Sequence, residues 1–309
     1  MLLRINKLHK ITCHFISVIL DKLKNMSATK KSVPIIIKLD IGDQLTSISC
    51  GHIVVELIKF IAYQRLQIPY SYQWLKQVVN KKRQCTEAKD TFQSEKHFHV
   101  ASSALENLDF IIKSLLKEID GPSVPEEVCI ALGGTPVTSK EVYRLLLPSY
   151  CHKSQCHSKY IASDQKIQMN VFRTLVTSDV LSNVFQNTLP PTNLHVLLKK
   201  KISTCDVVCT DSFVLSNGYR LPRSAKVVVI DFRTDSHENL SCCNNFSVFE
   251  EVISKNMTDL KICDNENDED FSEIESSSTM TWYQSCYVMK GFRDCIVSGS
   301  SITNKWLHL

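Results

Sequence analysis

GHIVVELIKFIAYQRLQIPYSYQWL, residues 51–75, reads as one amphipathic helix, a proline-marked turn and the opening of a second helix. At 100° per residue, Ile53, Leu57, Phe60, Ile61 and Gln64 gather in one arc, while His52, Glu56, Lys59 and Tyr63 form a separate polar stripe. Gln64 is the odd member. An amide within an apolar arc needs a partner, because an unpaired buried polar group costs about 1–3 kcal/mol. That partner lies either inside the fold or on another protein.

Working outward, the first helix is expected from Ser47 to Gln67, stopped at Ile68-Pro69 because proline disfavours helix in the residue before it. Upstream, Pro34–Leu39 (PIIIKL) reads as a short strand. Downstream, Tyr72, Leu75 and Val78-Val79 mark one face of a second helix, and the polar residues 80–97 read as a loop or linker. Ala101, Ala104, Leu105, Leu108, Ile112, Leu115 and Ile119 place a long helix over 99–119, closed by Gly121-Pro122.

Val128–Leu132 reads as a compact apolar strand followed by the turn chemistry of Gly133-Gly134 and Thr135-Pro136. Glu141–Leu147 fits helix, through the capping-box spacing of Thr138 and Glu141, or a returning strand; the Gly-Gly turn between short apolar runs favours the hairpin. Residues 164–186 read as one further amphipathic helix ended by Pro190-Pro191. Strand patterns then dominate, at Leu194–Leu198, Cys205–Cys209, Lys226–Phe232 and Tyr283–Met289. Residues 234–280 are polar, acidic and Ser-rich, too poor in apolar residues to build a core, and are expected to be disordered. Helices early and strands late read as an α+β fold. The expected organisation is a basic tail over 1–33, one domain over 34–295 interrupted by the acidic insert, and a C-terminal tail over 296–309.

Composition narrows the functional class. Net charge is +4, and the basic excess is local: residues 1–38 carry eight Lys or Arg against Asp21 alone, whereas DNENDEDFSEIE (264–275) carries seven acids. The remainder is near balance, so no nucleic-acid groove is expected. The thirteen cysteines are odd in number and irregularly spaced, which fits free thiols better than a disulfide framework. No apolar run is long enough to span a membrane. Residues 1–24 combine a basic start with the apolar ITCHFISVIL, in the manner of a signal or transit segment, but lack a small-residue cleavage site; a basic tail, with Met26 as a second possible start, is the preferred reading.

Few residues suggest chemistry. CHKSQCH (151–157) holds four zinc-type ligands, but adjacent Cys and His do not readily face one ion, and a loop with incidental thiols is the plainer reading. Cys205 and Cys209 would sit about 13 Å apart in a strand. No GxGxxG, GxxxxGK[ST], HExxH or GxSxG is present, so no cofactor and no catalytic residue are expected. Asn239, Asn245 and Asn256 begin sequons in or beside the acidic insert. Phe172 is the second polarity mismatch: on a continuous helix it shares a sector with Gln168, Asp179 and Asn183. It either packs in the core or anchors an interface. One polar residue in an apolar arc and one aromatic in a polar sector, on two helices, is how a helix-borne binding surface would look.

Four stretches carry a family resemblance. ELIKFIAYQRLQIPYSYQWLK (56–76) resembles the ELLKHxxYQRxQLPxxYxQLK stretch of the comet family of Mad-two-binding, checkpoint-silencing proteins. VCIALGGTPVTSKEVYRLLL (128–147) is similar to that family's apolar strand, Gly-Gly turn and PKEFYEL run, GYRLPRSAKVVVI (218–230) to its NYRVPSR segment, and WYQSCYVMKGFRDC (282–295) to its WFQxPVxFKGFRE segment. The resemblance implies a HORMA-like, Mad-two-like fold, with three main helices on a mostly antiparallel sheet and a C-terminal safety-belt segment. It implies a non-enzymatic adaptor that binds the closed Mad-two conformer and presents it to an AAA+ remodelling ATPase, acting in nucleus and cytoplasm and at the spindle or kinetochore in mitosis. Carried over by motif, the expected partner-binding residues are Gln64 and Phe172, with Tyr63, Arg65 and Gln168 beside them. Leu215-Ser216 stands where the family has a Pro-Lys implicated in ATPase contact, and Cys286 where it has a proline. The alternatives are another HORMA-like protein closing its belt on a partner peptide, and a thiol or zinc protein built on the Cys/His cluster.

Overall fold

Isoleucine-rich and valine-rich stretches drawn from both ends of the chain meet in one sheet. The computed structural model describes residues 33–39, 46–84, 91–121, 124–148, 164–201, 212–233 and 280–308. Strands β1 (Ile35–Lys38), β2 (Glu127–Gly133), β3 (Ser139–Leu146), β4 (Asn193–Lys201), β5 (Phe213–Leu215), β6 (Lys226–Asp231) and β7 (Met280–Ser285) lie in the order β1-β6-β3-β2-β4-β7-β5. A short β8 (Met289–Lys290) follows β7 along the same side of β4. β6 pairs in parallel with β1 and β3; the other pairings in this sheet are antiparallel. The architecture is α+β.

β2 is buried along its whole length because both faces of the sheet are covered. On one face Val128, Ile130, Leu132, Tyr143, Leu145, Val196 and Ile230 meet the helices. On the other, Cys129, Ala131, Val142 and Leu197 are covered by Tyr219 and Ala225, with the Tyr219 ring edge-on to Trp282 at 5.2 Å. The Gly-Gly hairpin forms as expected, and Glu141 belongs to the returning strand. Its tip is tied by reciprocal capping between Thr135 and Thr138, not between Thr138 and Glu141. Gly133 sits at an irregularity in the β2–β3 register, where a Cβ would stand 2.4 Å from the Ser139 Cα.

The helices are α1 (Ser47–Gln64), α2 (Tyr72–Gln84), α3 (Phe92–Ile119), α4 (Asp164–Val176), α5 (Asp179–Gln186) and α6 (Ile302–Lys305). Three boundaries differ from expectation. α1 ends at Gln64, before the proline has any say, because Leu66 adopts a left-handed conformation. α3 starts at Phe92, capped by the Thr91 hydroxyl accepting from the Ser94 N–H, so much of the expected linker is helix. The single helix expected over 164–186 is two, because Ser178 caps a new start by accepting from the Leu181 N–H.

The expected C-terminal tail is part of the fold through residue 308. Ile296–Val297 (β9) and Ser300–Ser301 (β10) form a hairpin, then α6 and a 3-10 turn (Trp306–His308) lie against α2 and α3. Trp306 is fully buried and donates its indole N–H to Ser94 Oγ at 3.1 Å. The strand read at Cys205–Cys209, the CHKSQCH cluster, the basic tail and nearly all of the acidic insert lie outside the described residues. Among the described residues no helix is long and apolar enough to cross a membrane, and no group of three metal-ligating side chains gathers.

Candidate functional site

The site grows from the way α1 stops. The Leu66 N–H bonds the Tyr63 carbonyl at 2.9 Å and the Gln67 N–H bonds the Ala62 carbonyl at 2.8 Å. This is the paired closure that usually places glycine at the left-handed position. Here the residue is Leu66, with φ of 54° and 53% exposed. A leucine there costs about 1–2 kcal/mol, and such strain tends to gather at functional positions.

The turn sends Arg65 inward. Although expected at the partner surface, its side chain is only 1% exposed, so it is no surface contact. Nε and Nη2 donate to the two carboxylate oxygens of Glu141 at 2.8 and 2.6 Å, and Nη1 donates to the Phe185 carbonyl at 3.2 Å. Glu141 also accepts from the Tyr143 hydroxyl at 2.9 Å. Burial, followed by the Glu141 charge, pushes the Tyr143 phenol up, keeping it a neutral donor. One buried ion pair thus ties the end of α1 to β3 and to α5.

Above that anchor, three aromatic rings join the helices. Phe60 meets Phe172 of α4 edge-on at 5.7 Å and Phe185 of α5 at 5.9 Å. Ile167, Val171 and Leu175 bury the inner face of α4, which turns Phe172 to the side facing α1. Phe172 is half-buried: it packs on the core cluster and also reaches the surface. Gln64 lies one turn beyond Phe60 on the same stripe and is half-exposed, so water can serve its amide. Tyr63 is 41% exposed, and Gln168, one turn before Phe172, is half-exposed. Gln64 and Phe172 thus flank the Phe60 ring from two helices, each within one turn of that contact, with Tyr63 and Gln168 exposed or half-exposed beside them in sequence. Asp179 and Asn183 leave the expected sector because they lie on α5.

Two members of this surface escaped the sequence reading. Met169 and Val176 are 63% and 62% exposed and stand three residues before and four after Phe172, which makes a continuous apolar stripe on α4. The signal was available as i, i+3, i+7 spacing, but Ile167, Val171 and Leu175 carry the same period and claim the core. The stripe, with an aromatic anchor between exposed apolar neighbours and amides at its rim, suits docking of another protein's helix rather than catalysis.

Leu215, which with Ser216 replaces the family's Pro-Lys, ends β5 and is exposed; the Ser216 N–H bonds the Trp282 carbonyl at 2.8 Å.

A family model described as p31comet, Mad1 and Cdc20-bound-Mad2 binding, matches residues 19–234, and the chain belongs to that family. The match takes in α1 through β6 and stops before β7, so it includes the whole two-helix surface. No curated protein sequence matches the chain significantly.

Proposed function

We propose that this chain is a non-enzymatic adaptor that docks the closed conformer of Mad2 on the surface shared by the end of α1 and the outer stripe of α4. The observation that carries the reading is the edge-on contact of Phe60 with Phe172, which makes one half-exposed surface of the two residues with mismatched polarity. The reading extends to a HORMA-like fold, with residues 280–308 as its C-terminal belt, to presentation of Mad2 to an AAA+ ATPase that dismantles the checkpoint complex, and to action in nucleus and cytoplasm and at the spindle or kinetochore. The chain's own C-terminal segment pairs with β4 and docks on α2 and α3, which supports an adaptor over a belt closing on a foreign peptide.

Calorimetric titration of the full chain with closed Mad2 tests this. Phe172→Ala and Gln64→Ala should each weaken binding by about 2 kcal/mol, roughly 30-fold, with the circular dichroism spectrum unchanged. Val176→Glu, which places a charge on the exposed stripe, should do the same. Wild-type affinity in both alanine variants would remove the docking surface from these helices.

A further inference from the structure

Immediately beyond the docking surface lies a second amide, and this one is fully buried. Gln67 Oε1 accepts from the Thr192 N–H at 2.7 Å, and its Nε2 donates to the Arg65 carbonyl at 2.6 Å. Its backbone carbonyl accepts from the Phe292 N–H at 3.0 Å, while its own N–H completes the closure of α1. One residue thereby joins the end of α1, the approach to β4 and the C-terminal segment. Gly291 completes the joint: its N–H bonds the Thr192 carbonyl at 2.8 Å, and a Cβ there would stand 2.8 Å from Gln67 Oε1 and 2.6 Å from that carbonyl.

The segment leaving this joint is fastened from within. Asp294 accepts from Thr303 at 2.6 Å and from Tyr70 at 2.8 Å, His97 meets Thr303 at 2.9 Å, and Trp306 fills the space beside Ser94. Displacing residues 291–292 takes the Phe292 N–H from the Gln67 backbone carbonyl and the Gly291 N–H from the Thr192 carbonyl, and so loosens Thr192, whose own N–H holds the Gln67 amide in place against the Arg65 carbonyl. Arg65 in turn fixes the end of α1 against α5, whose Phe185 ring packs edge-on to Phe60, the ring that also meets Phe172.

We infer that Gln67 is a positioning residue that couples the docking surface to the C-terminal segment, so that Gln64 and Phe172 hold their binding arrangement only while residues 291–308 are seated. This rests on the Mad2 reading for its partner, but the coupling can also be read in the chain alone.

Gly291→Ala and Gln67→Met, both away from the docking surface, provide the test in the full chain. Amide exchange of the free protein should accelerate about tenfold across 291–307 and also at Arg65, Leu66 and Gln67. Affinity for closed Mad2 should fall at least about fivefold, and saturating Mad2 should slow exchange across 291–307 in the wild type, since coupling is reciprocal. If neither variant folds, Thr303→Val loosens the same segment more gently and carries the same readouts. Faster exchange in 291–307 with unchanged Mad2 affinity overturns the coupling and leaves the docking reading intact. If the wild type does not bind Mad2, the docking reading fails; faster exchange at residues 65–67 in Gly291→Ala then still supports the link, and unchanged exchange there overturns it.

Discussion

Removing either partner of the Arg65–Glu141 pair should cost far more in stability than an exposed ion pair would. The guanidinium makes two bonds to the carboxylate at 2.6 and 2.8 Å, and the two side chains are 1% and 9% exposed. In Arg65→Ala the carboxylate stays buried with the Tyr143 hydroxyl as its remaining donor. In Glu141→Ala the guanidinium keeps one bond, to the Phe185 carbonyl, and Tyr143 loses its acceptor. Each single variant leaves an uncompensated buried charge, which costs about 3–5 kcal/mol. The double variant removes both charges; what is left is a gap and an unmet Tyr143 hydroxyl, the latter worth about 1–3 kcal/mol. The two losses should therefore fall short of additive by about 2–3 kcal/mol. Urea unfolding followed by circular dichroism, fitted for wild type, both singles and the double, gives the coupling directly. An Arg65→Ala protein within about 1 kcal/mol of wild type that nevertheless loses Mad2 would refute the structural role and return Arg65 to the interface.

Two further perturbations test neighbouring parts of the argument. Leu66→Gly relieves a left-handed leucine and should raise stability by about 0.5–1 kcal/mol, since the gain of about 1–2 is partly offset by glycine's unfolded-state freedom; the same change should weaken Mad2 binding if the exposed side chain is kept for contact, and a lower melting temperature would contradict the strain. Burial pushes the His97 imidazole below its usual 6.5, against the opposing pull of the Asp294 carboxylate. Burial also pushes Asp294 up, but bonds from Ser301, Thr303 and Tyr70 hold it below the usual carboxylate value, so it titrates at lower pH. A depressed folded value means that the unfolded chain takes up the His97 proton first. The contribution is present above about pH 6.5 and is lost as pH falls through that value toward the folded one. Thermal melts followed by tryptophan fluorescence from pH 7.5 to 5.5 should show this loss, and His97→Gln should reduce it, leaving the part due to the buried His195, which burial also pushes down; stability that rises on acidification would reverse the argument.

What could be read from residues alone follows from the range of the interactions. The Gly133-Gly134 hairpin, β4 and β6 are specified by local turn chemistry and short apolar runs, and they were legible. The start of α3 was not: Ser94 and His97 look like loop residues until Trp306 and Thr303 arrive from the far end of the chain to partner them. The α4–α5 break was signalled by Ser178, but the apolar period runs across it and masks the cap. At the site, helical spacing drew attention to Gln64 and Phe172, whereas the motif resemblance alone set Arg65 among the partner contacts. A periodic wheel fails where the backbone leaves helical geometry, and Leu66 does so one residue later. Gln67, not Gln64, carries the buried amide. Its partners, Thr192 and Phe292, are too distant in sequence for any local rule to find.

The placement of β6 between β1 and β3 has a consequence during synthesis. Both pairings are parallel, and parallel neighbours need long connections. About 190 residues separate β1 from β6, which at 5–20 residues per second takes on the order of 10–40 s to translate. Until residue 231 has left the ribosome, β1 has no neighbour and one side of β3, bearing Val142, Tyr143 and Leu145, is an open edge. Such edges recruit other chains. A truncated product ending between 202 and 225 would thus keep α1 to α5 and β2 to β4 but expose that edge, making it a client for chaperones and prone to aggregate, whereas extension through Asp231 covers it.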